Sequence, residues 1–172
     1  MSKAFLRESD LDDIDPLPAA ASPLPPGTKN YMTAQGTDRL RAELEQLVND
    51  ARPPLAAIAA SDAEAKRDLQ RVDQRIRYLQ HSLRSAEVVS PGGDDGVVRF
   101  GASVTIRDER GEESQYRLVG VDETDLARGW VSWMSPIARA LLSHTKGSSV
   151  DFISPAGPKR LTIVRVEYSA VG

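Results

Sequence analysis

Leu69, Val72, Ile76, Leu79 and Leu83 are spaced three, four, three and four residues apart, and this rhythm constrains the fold of the chain more than any other feature. Apolar residues at that period line one side of a helix and need a second apolar face to cover them. The chain supplies one just upstream. Leu40, Leu44, Leu47, Ala51, Leu55 and Ile58 keep the same period, and Thr33 is a suitable N-cap ahead of them. The link between the runs is short and polar, so the two are expected to fold back as an antiparallel helical hairpin, a coiled-coil finger. Pro53 and Pro54 interrupt the first run. An interior proline removes a backbone donor and costs about 3 kcal/mol, which predicts a kink or break there.

The tip of the hairpin, "AIAASDAEAKRD" (57–68), carries two carboxylates, Asp62 and Glu64. Ser61 and Glu64 form a Ser-x-x-Glu capping box, with Asp62 at the first helical position favouring the positive end of the helix dipole. Two helical residues two positions apart point about 200° away from each other, so only a loop would let both acids hold one ion. Helix capping is the favoured reading and metal delivery the alternative. Arg67, Arg71 and Arg75 recur every four residues along the returning helix; the plain reading of that stripe is a solvated face pairing with acids of the first arm. His81 and His144 have no second ligand at metal spacing and are read as structural.

Past "SPGGDDG" (90–96), read as a flexible linker, the period changes to two. The segments "ASVTIRD", "SQYRLVG", "WVSWM", "SVDFIS" and "KRLTIVRVEY" are expected strands, with turns at "ERGE" and "PAGP". Between them "SPIARALLSHTKG" has the punctuation of a short helix: Ser135 as N-cap, Pro136 at N1, His144 and Lys146 near its end, Gly147 as the stop. Ile137, Ala138, Leu141 and Leu142 would form its buried face. Trp130 and Trp133, an odd number apart, should face opposite sides of one strand, one in the core and one exposed. The expected class is therefore α+β: an N-terminal antiparallel helical hairpin and a C-terminal, mostly antiparallel sheet crossed by one short helix.

Composition narrows the function. With 22 Lys and Arg against 25 Asp and Glu, the net charge of −3 argues against non-specific duplex binding. The chain has no cysteine, so thiolate metal sites and disulfides are excluded. The N-terminus has no apolar signal region and no 18-residue apolar run occurs, so a soluble, cytoplasmic protein with no membrane partner is expected. Residues 1–29, with acids from Glu8 to Asp15 followed by five prolines in "PLPAAASPLPPG", read as a disordered tail in which only Phe5 and Leu6 could dock. The hairpin would then span 30–88, a linker 89–97 and the sheet domain 98–172.

Several separated stretches resemble one family in the right order. "KNYMTAQGTDRLRAELEQLV" is similar to the opening helix of the bacterial Gre transcript-cleavage factors, and "RVDQRIRYL" to the start of their returning helix. "WVSWMSPIARALLSHTKGSSVDFISPAGPKRLTIVRVEY" is very like their C-terminal segment. The resemblance covers roughly residues 29–168. It implies a C-terminal domain of FKBP-like fold that grips the rim of the secondary channel on RNA polymerase's largest catalytic subunit, while the finger enters the channel. Carried over, the rim contact falls on Met134, Ser135 and Pro136, and the basic stripe Arg67, Arg71 and Arg75 would approach the 3′ end of the nascent RNA. In the family, acids at the fingertip help hold a second Mg²⁺ at the polymerase's own active site for hydrolysis of backtracked RNA. The factor is not itself an enzyme, carries no cofactor or metal of its own, and is expected to act as a monomer.

The tip departs from the family wording. Its usual Gly-Asp-x-Ser-Glu-Asn is here "ASDAEA", and the hairpin is about a dozen residues short, which makes the finger roughly 9 Å shorter. A Mg²⁺–carboxylate bond of about 2.1 Å tolerates little such error. The resemblance therefore implies a channel binder that modulates transcription by occupancy, with true cleavage through Asp62 and Glu64 as the alternative. Two other classes compete. A peptidyl-prolyl isomerase is suggested by the fold alone, against the scarcity of Phe for an aromatic pocket. A coiled-coil adaptor unrelated to polymerase is the third.

Overall fold

The computed structural model describes residues 24–169; the acidic stretch and the Phe5–Leu6 pair of the expected tail lie outside them. The first arm of the hairpin comprises α1 (Ala34–Gln46), a π-helical turn (Leu47–Ala51) and α2 (Arg52–Ile58), and the second arm is the single helix α3 (Ala63–Ser85). At 1.5 Å per residue α3 is about 34 Å long. Thr33 caps α1, its hydroxyl accepting from the Gly36 amide at 3.0 Å. The predicted interruption at Pro53 and Pro54 takes the form of the π-turn. Proline rings clash with the carbonyls four residues back and offer them no N–H. The turn before them widens instead, so that the Arg52 amide reaches the Leu47 carbonyl. The first arm thereby continues past the prolines.

Packing is densest at the base of the finger. Met32, Leu40 and Leu79 are fully or almost fully buried there, with Leu44, Leu47, Tyr78 and Leu83 against them. Towards the tip the seam thins: Ala65 and Ile76 are buried, but Val48 and Ile58 are exposed. Two ion pairs tie the arms together, Arg75 to Glu43 through two bonds of 2.7 and 2.9 Å and Arg52 to Asp73 at 2.8 Å. Exposed pairs contribute at most about 1 kcal/mol each, so they fix register more than stability. A feature without sequence signal closes the base: β1 (Asn30–Met32) pairs in parallel with β2 (Ala86–Val88). The buried Asn30 amide donates to the Ser82 carbonyl at 3.1 Å and the Ser85 hydroxyl at 3.2 Å, satisfying the end of α3.

The C-terminal unit is a five-stranded sheet in the order β5-β4-β3-β7-β6. Its strands are β3 (Ala102–Arg107), β4 (Glu113–Val119), β5 (Trp130–Ser132), β6 (Ser149–Ser154) and β7 (Gly157–Tyr168). Neighbours are antiparallel except β4 and β5, which run parallel. On β3 the period of two is strict, with Ala102, Val104 and Ile106 buried. On β7 the register shifts opposite Thr105 and Ile106. The extra residue explains why Leu161 and Ile163 are followed inward by Val166, three positions on. Helix α4 (Pro136–Leu141) lays Ala138 and Leu141 on this core, with Ile137 and Leu142 partly buried.

Helix α4 is shorter than the expected run to Gly147. Ser143 adopts a left-handed φ of 67°, its amide donates to Val98, and Val98 donates back to His144, both at 2.8 Å. Pairing with residue 98 thus ends the helix, and His144 and Lys146 lie in the turn beyond it. The stretch read as a flexible linker is also anchored. Asp95 makes a two-bond ion pair with Arg99 (2.6 and 2.8 Å), which holds its carboxyl down to about 2. The Tyr168 hydroxyl accepts from the Arg99 amide at 3.0 Å.

Candidate functional site

At the fingertip the cap sits one residue later than the capping box predicts. Asp62 is the N-cap of α3, extended at φ −125° and ψ 115°, and its Oδ1 accepts from the amides of Glu64 (2.8 Å) and Ala65 (3.0 Å). Ser61 is outside the helix, its hydroxyl donating to the Ile58 carbonyl at 3.2 Å. The correction has a simple cause. Aspartate caps as well as serine, and its charge adds a favourable interaction with the helix dipole. One oxygen of Asp62 is therefore committed to backbone amides. Glu64 is exposed in the first turn of α3. No group of three or more His, Cys, Asp or Glu able to hold a metal occurs among the described residues. Asp62→Ala should cost about 1 kcal/mol of unfolding free energy, read by urea denaturation.

The basic stripe divides. Arg75 is taken up by Glu43 of the first arm, and Arg71 pairs with Asp68 at 2.8 Å one turn away. Arg67 is exposed with no ion pair among the described residues. The outward face of α3 continues through Arg77 and Arg84, both exposed, because a 3.5-residue step stays on one side where a strict four-residue step drifts toward the partner arm.

The expected rim contact is a well-made turn. Ser132 accepts from the Met134 amide at 3.1 Å through its hydroxyl, and Ser135 caps α4 by accepting from the Ala138 amide at 3.3 Å. Pro136 is exposed in the first turn and Met134 half-buried. The tryptophans do not split into core and surface. Both are half-buried. Trp130 lies between the guanidinium groups of Arg117 and Arg128, at 4.9 and 5.3 Å. Trp133 packs on Tyr31 of β1, ring centroids 5.1 Å apart, and Tyr31 in turn meets Phe100 at 5.9 Å. The turn is thus built directly onto the base of the finger.

Sequence reasoning missed the residues that hold this junction. Asp122 and Glu123 form a 3₁₀ turn (Val121–Glu123) after β4. The Glu123 carboxylate, 1% exposed, accepts from the amides of Thr33 (3.0 Å) and Gly120 (2.9 Å) and from the Thr33 hydroxyl. Asp122 accepts from the hydroxyls of Tyr78 and Ser82 on α3. Burial, then the bond to Asp122, raises the Tyr78 phenol above its usual range, so it remains a donor. The available signal was Gly36. A glycine in the first turn of a helix is costly unless something approaches closely, and a Cβ there would lie 2.0 Å from Glu123 Oε1.

Comparison with known proteins agrees with this architecture. The family model described as "Transcription elongation factor, GreA/GreB, C-term" matches residues 93–168. Transcription elongation factor GreB of Neisseria meningitidis serogroup B is 37% identical over 155 residues, covering 82% of this chain and 95% of the relative. GreB of Xanthomonas axonopodis pv. citri is 39% identical over 163 residues, with coverages of 86% and 97%. GreA of Paracoccus denitrificans is 37% identical over 150 residues, with coverages of 80% and 96%. At that identity and over nearly the whole length of these relatives, the chain belongs to the GreA/GreB family of transcription elongation factors.

Proposed function

We propose that the protein binds bacterial RNA polymerase as a monomer in the cytoplasm and modulates elongation by inserting its short finger into the secondary channel. In this reading Met134, Ser135 and Pro136 meet the channel rim on the largest catalytic subunit. Arg67, with Arg77 and Arg84 behind it, faces the RNA 3′ region, where cations would interact with phosphate. The factor acts by occupancy and performs no chemistry of its own.

The observation that carries the reading is the fate of the tip acids. Asp62 is the helix cap, with its Oδ1 bonded to two backbone amides, and this commitment supports a capping role at the tip. Length supports it as well. The stretch of 155 residues matched to the Neisseria GreB takes up only 82% of a 172-residue chain. The relative therefore carries about a dozen residues with no counterpart here; placed in the two arms of the finger, they would account for about 9 Å of reach. The test is displacement of a labelled GreB-type factor from purified core polymerase. Concentration-dependent displacement is expected, and no displacement at saturating protein would refute the reading.

A further inference from the structure

We infer that Asp122 and Glu123 form a two-pronged clasp that fixes the aim of the finger relative to the sheet domain, making them positioning residues for insertion. Adjacent in sequence, they reach different arms. Glu123 takes the amide and hydroxyl of Thr33, the residue that caps α1. Asp122 takes the hydroxyls of Tyr78 and Ser82 on α3, and its carbonyl accepts from Arg39 of α1 at 3.3 Å. One short turn of the body thereby holds both arms at their base, where a small rotation would be amplified over the length of the finger.

Local geometry is shaped around this clasp. Thr33 is shared, its hydroxyl accepting from Gly36 while donating to Glu123. The carboxylate lies at the N-terminus of α1, where the helix dipole favours negative charge. Two glycines make room: a Cβ on Gly36 would lie 2.0 Å from Glu123 Oε1, and one on Gly120 would lie 2.3 Å from the Tyr31 carbonyl oxygen. The clasp joins the two units through polar bonds beside their cores: Tyr78, which donates to Asp122, also packs against the cluster at the finger base.

The functional consequence rests on the channel-binding reading; the clasp itself does not. The chain has no cysteine, so spin labels can be placed uniquely at Ala60→Cys on the tip and Ile153→Cys on β6, both exposed. Pulsed dipolar spectroscopy of the free protein should give one narrow distance distribution. Asp122→Ala, and separately Tyr78→Phe/Ser82→Ala, should broaden it to on the order of twice that width, the mark of a freed hinge. Glu123→Gln keeps a carbonyl oxygen for the two amides and should stay narrow. Polymerase affinity should fall about tenfold where only a tenth of the molecules remain correctly aimed. Unchanged distances in both Asp122→Ala and Tyr78→Phe/Ser82→Ala would overturn the clasp, whatever the affinity. If the unsubstituted protein does not bind polymerase, the channel reading fails and the distances still decide the clasp.

Discussion

Glu123→Ala is expected to lower the unfolding free energy by about 2 to 5 kcal/mol, since leaving each of two buried amides without an acceptor costs about 1 to 3 kcal/mol. The substitution leaves the amides of Thr33 and Gly120 without their acceptor in a site closed to water, and it empties the volume of the carboxylate. Gly36 supplies a control of unusual sign. In the unsubstituted protein Gly36→Ala forces a Cβ to 2.0 Å from Glu123 Oε1, so the clasp must open and the loss should be of similar size. Once Glu123 is alanine, the obstruction is gone. Gly36→Ala should then stabilise by up to about 1 kcal/mol, the helix preference for alanine over glycine. Urea denaturation of the four proteins measures the cycle. Equal destabilisation by Gly36→Ala in both backgrounds would show that the two residues do not meet.

Substituting both Met134 and Pro136 by alanine is expected to weaken polymerase binding tenfold or more while leaving the fold intact. Both residues sit on a turn whose shape is set by others: Ser132 accepts from the Met134 amide, and Ser135 caps α4. Truncating them removes contact surface without removing the turn. The few residues that dominate an interface each contribute about 2 kcal/mol or more to binding, which is over tenfold in affinity, and the turn is expected to be such a spot. Ile153→Ala serves as the comparison, since that side chain is 82% exposed on β6 and outside the proposed contact. Affinity unchanged by the double substitution would move the rim contact elsewhere.

Much of the fold was legible because its signals are local. The a/d spacing of Leu69 to Leu83 required a partner helix, and alternation at Ala102, Val104 and Ile106 marked a half-buried strand. What escaped depends on long-range pairing. Strands β1 and β2 are three residues each and exist because of one another. Ser143, which ends α4, takes a left-handed conformation held by backbone bonds with residue 98. The cap at the tip was misplaced by one residue because Ser61 and Asp62 are both good caps, and only the conformation at Asp62 decides between them.

The candidate site was legible in parts. The helix start at Ser135 and Pro136 and the stripe of Arg67, Arg71 and Arg75 could be read from punctuation and spacing; their roles as rim and RNA contacts came only from the family resemblance. Arg75 could not be separated from the stripe, since its pairing with Glu43 depends on how the two arms rotate together. Asp122 and Glu123 gave no pattern. A buried carboxylate whose partner Thr33 lies 90 residues away leaves only an indirect trace, a glycine where a helix would prefer alanine. That trace becomes meaningful once the partner is known.

The central claim is that the fingertip occupies the channel without supplying metal ligands, and RNA cleavage in a purified, backtracked elongation complex tests it most directly. With Mg²⁺ present, the account predicts that this protein leaves the intrinsic rate of transcript shortening unchanged, and that Asp62→Ala/Glu64→Ala behaves identically. Strong shortening that disappears in the double variant would contradict it.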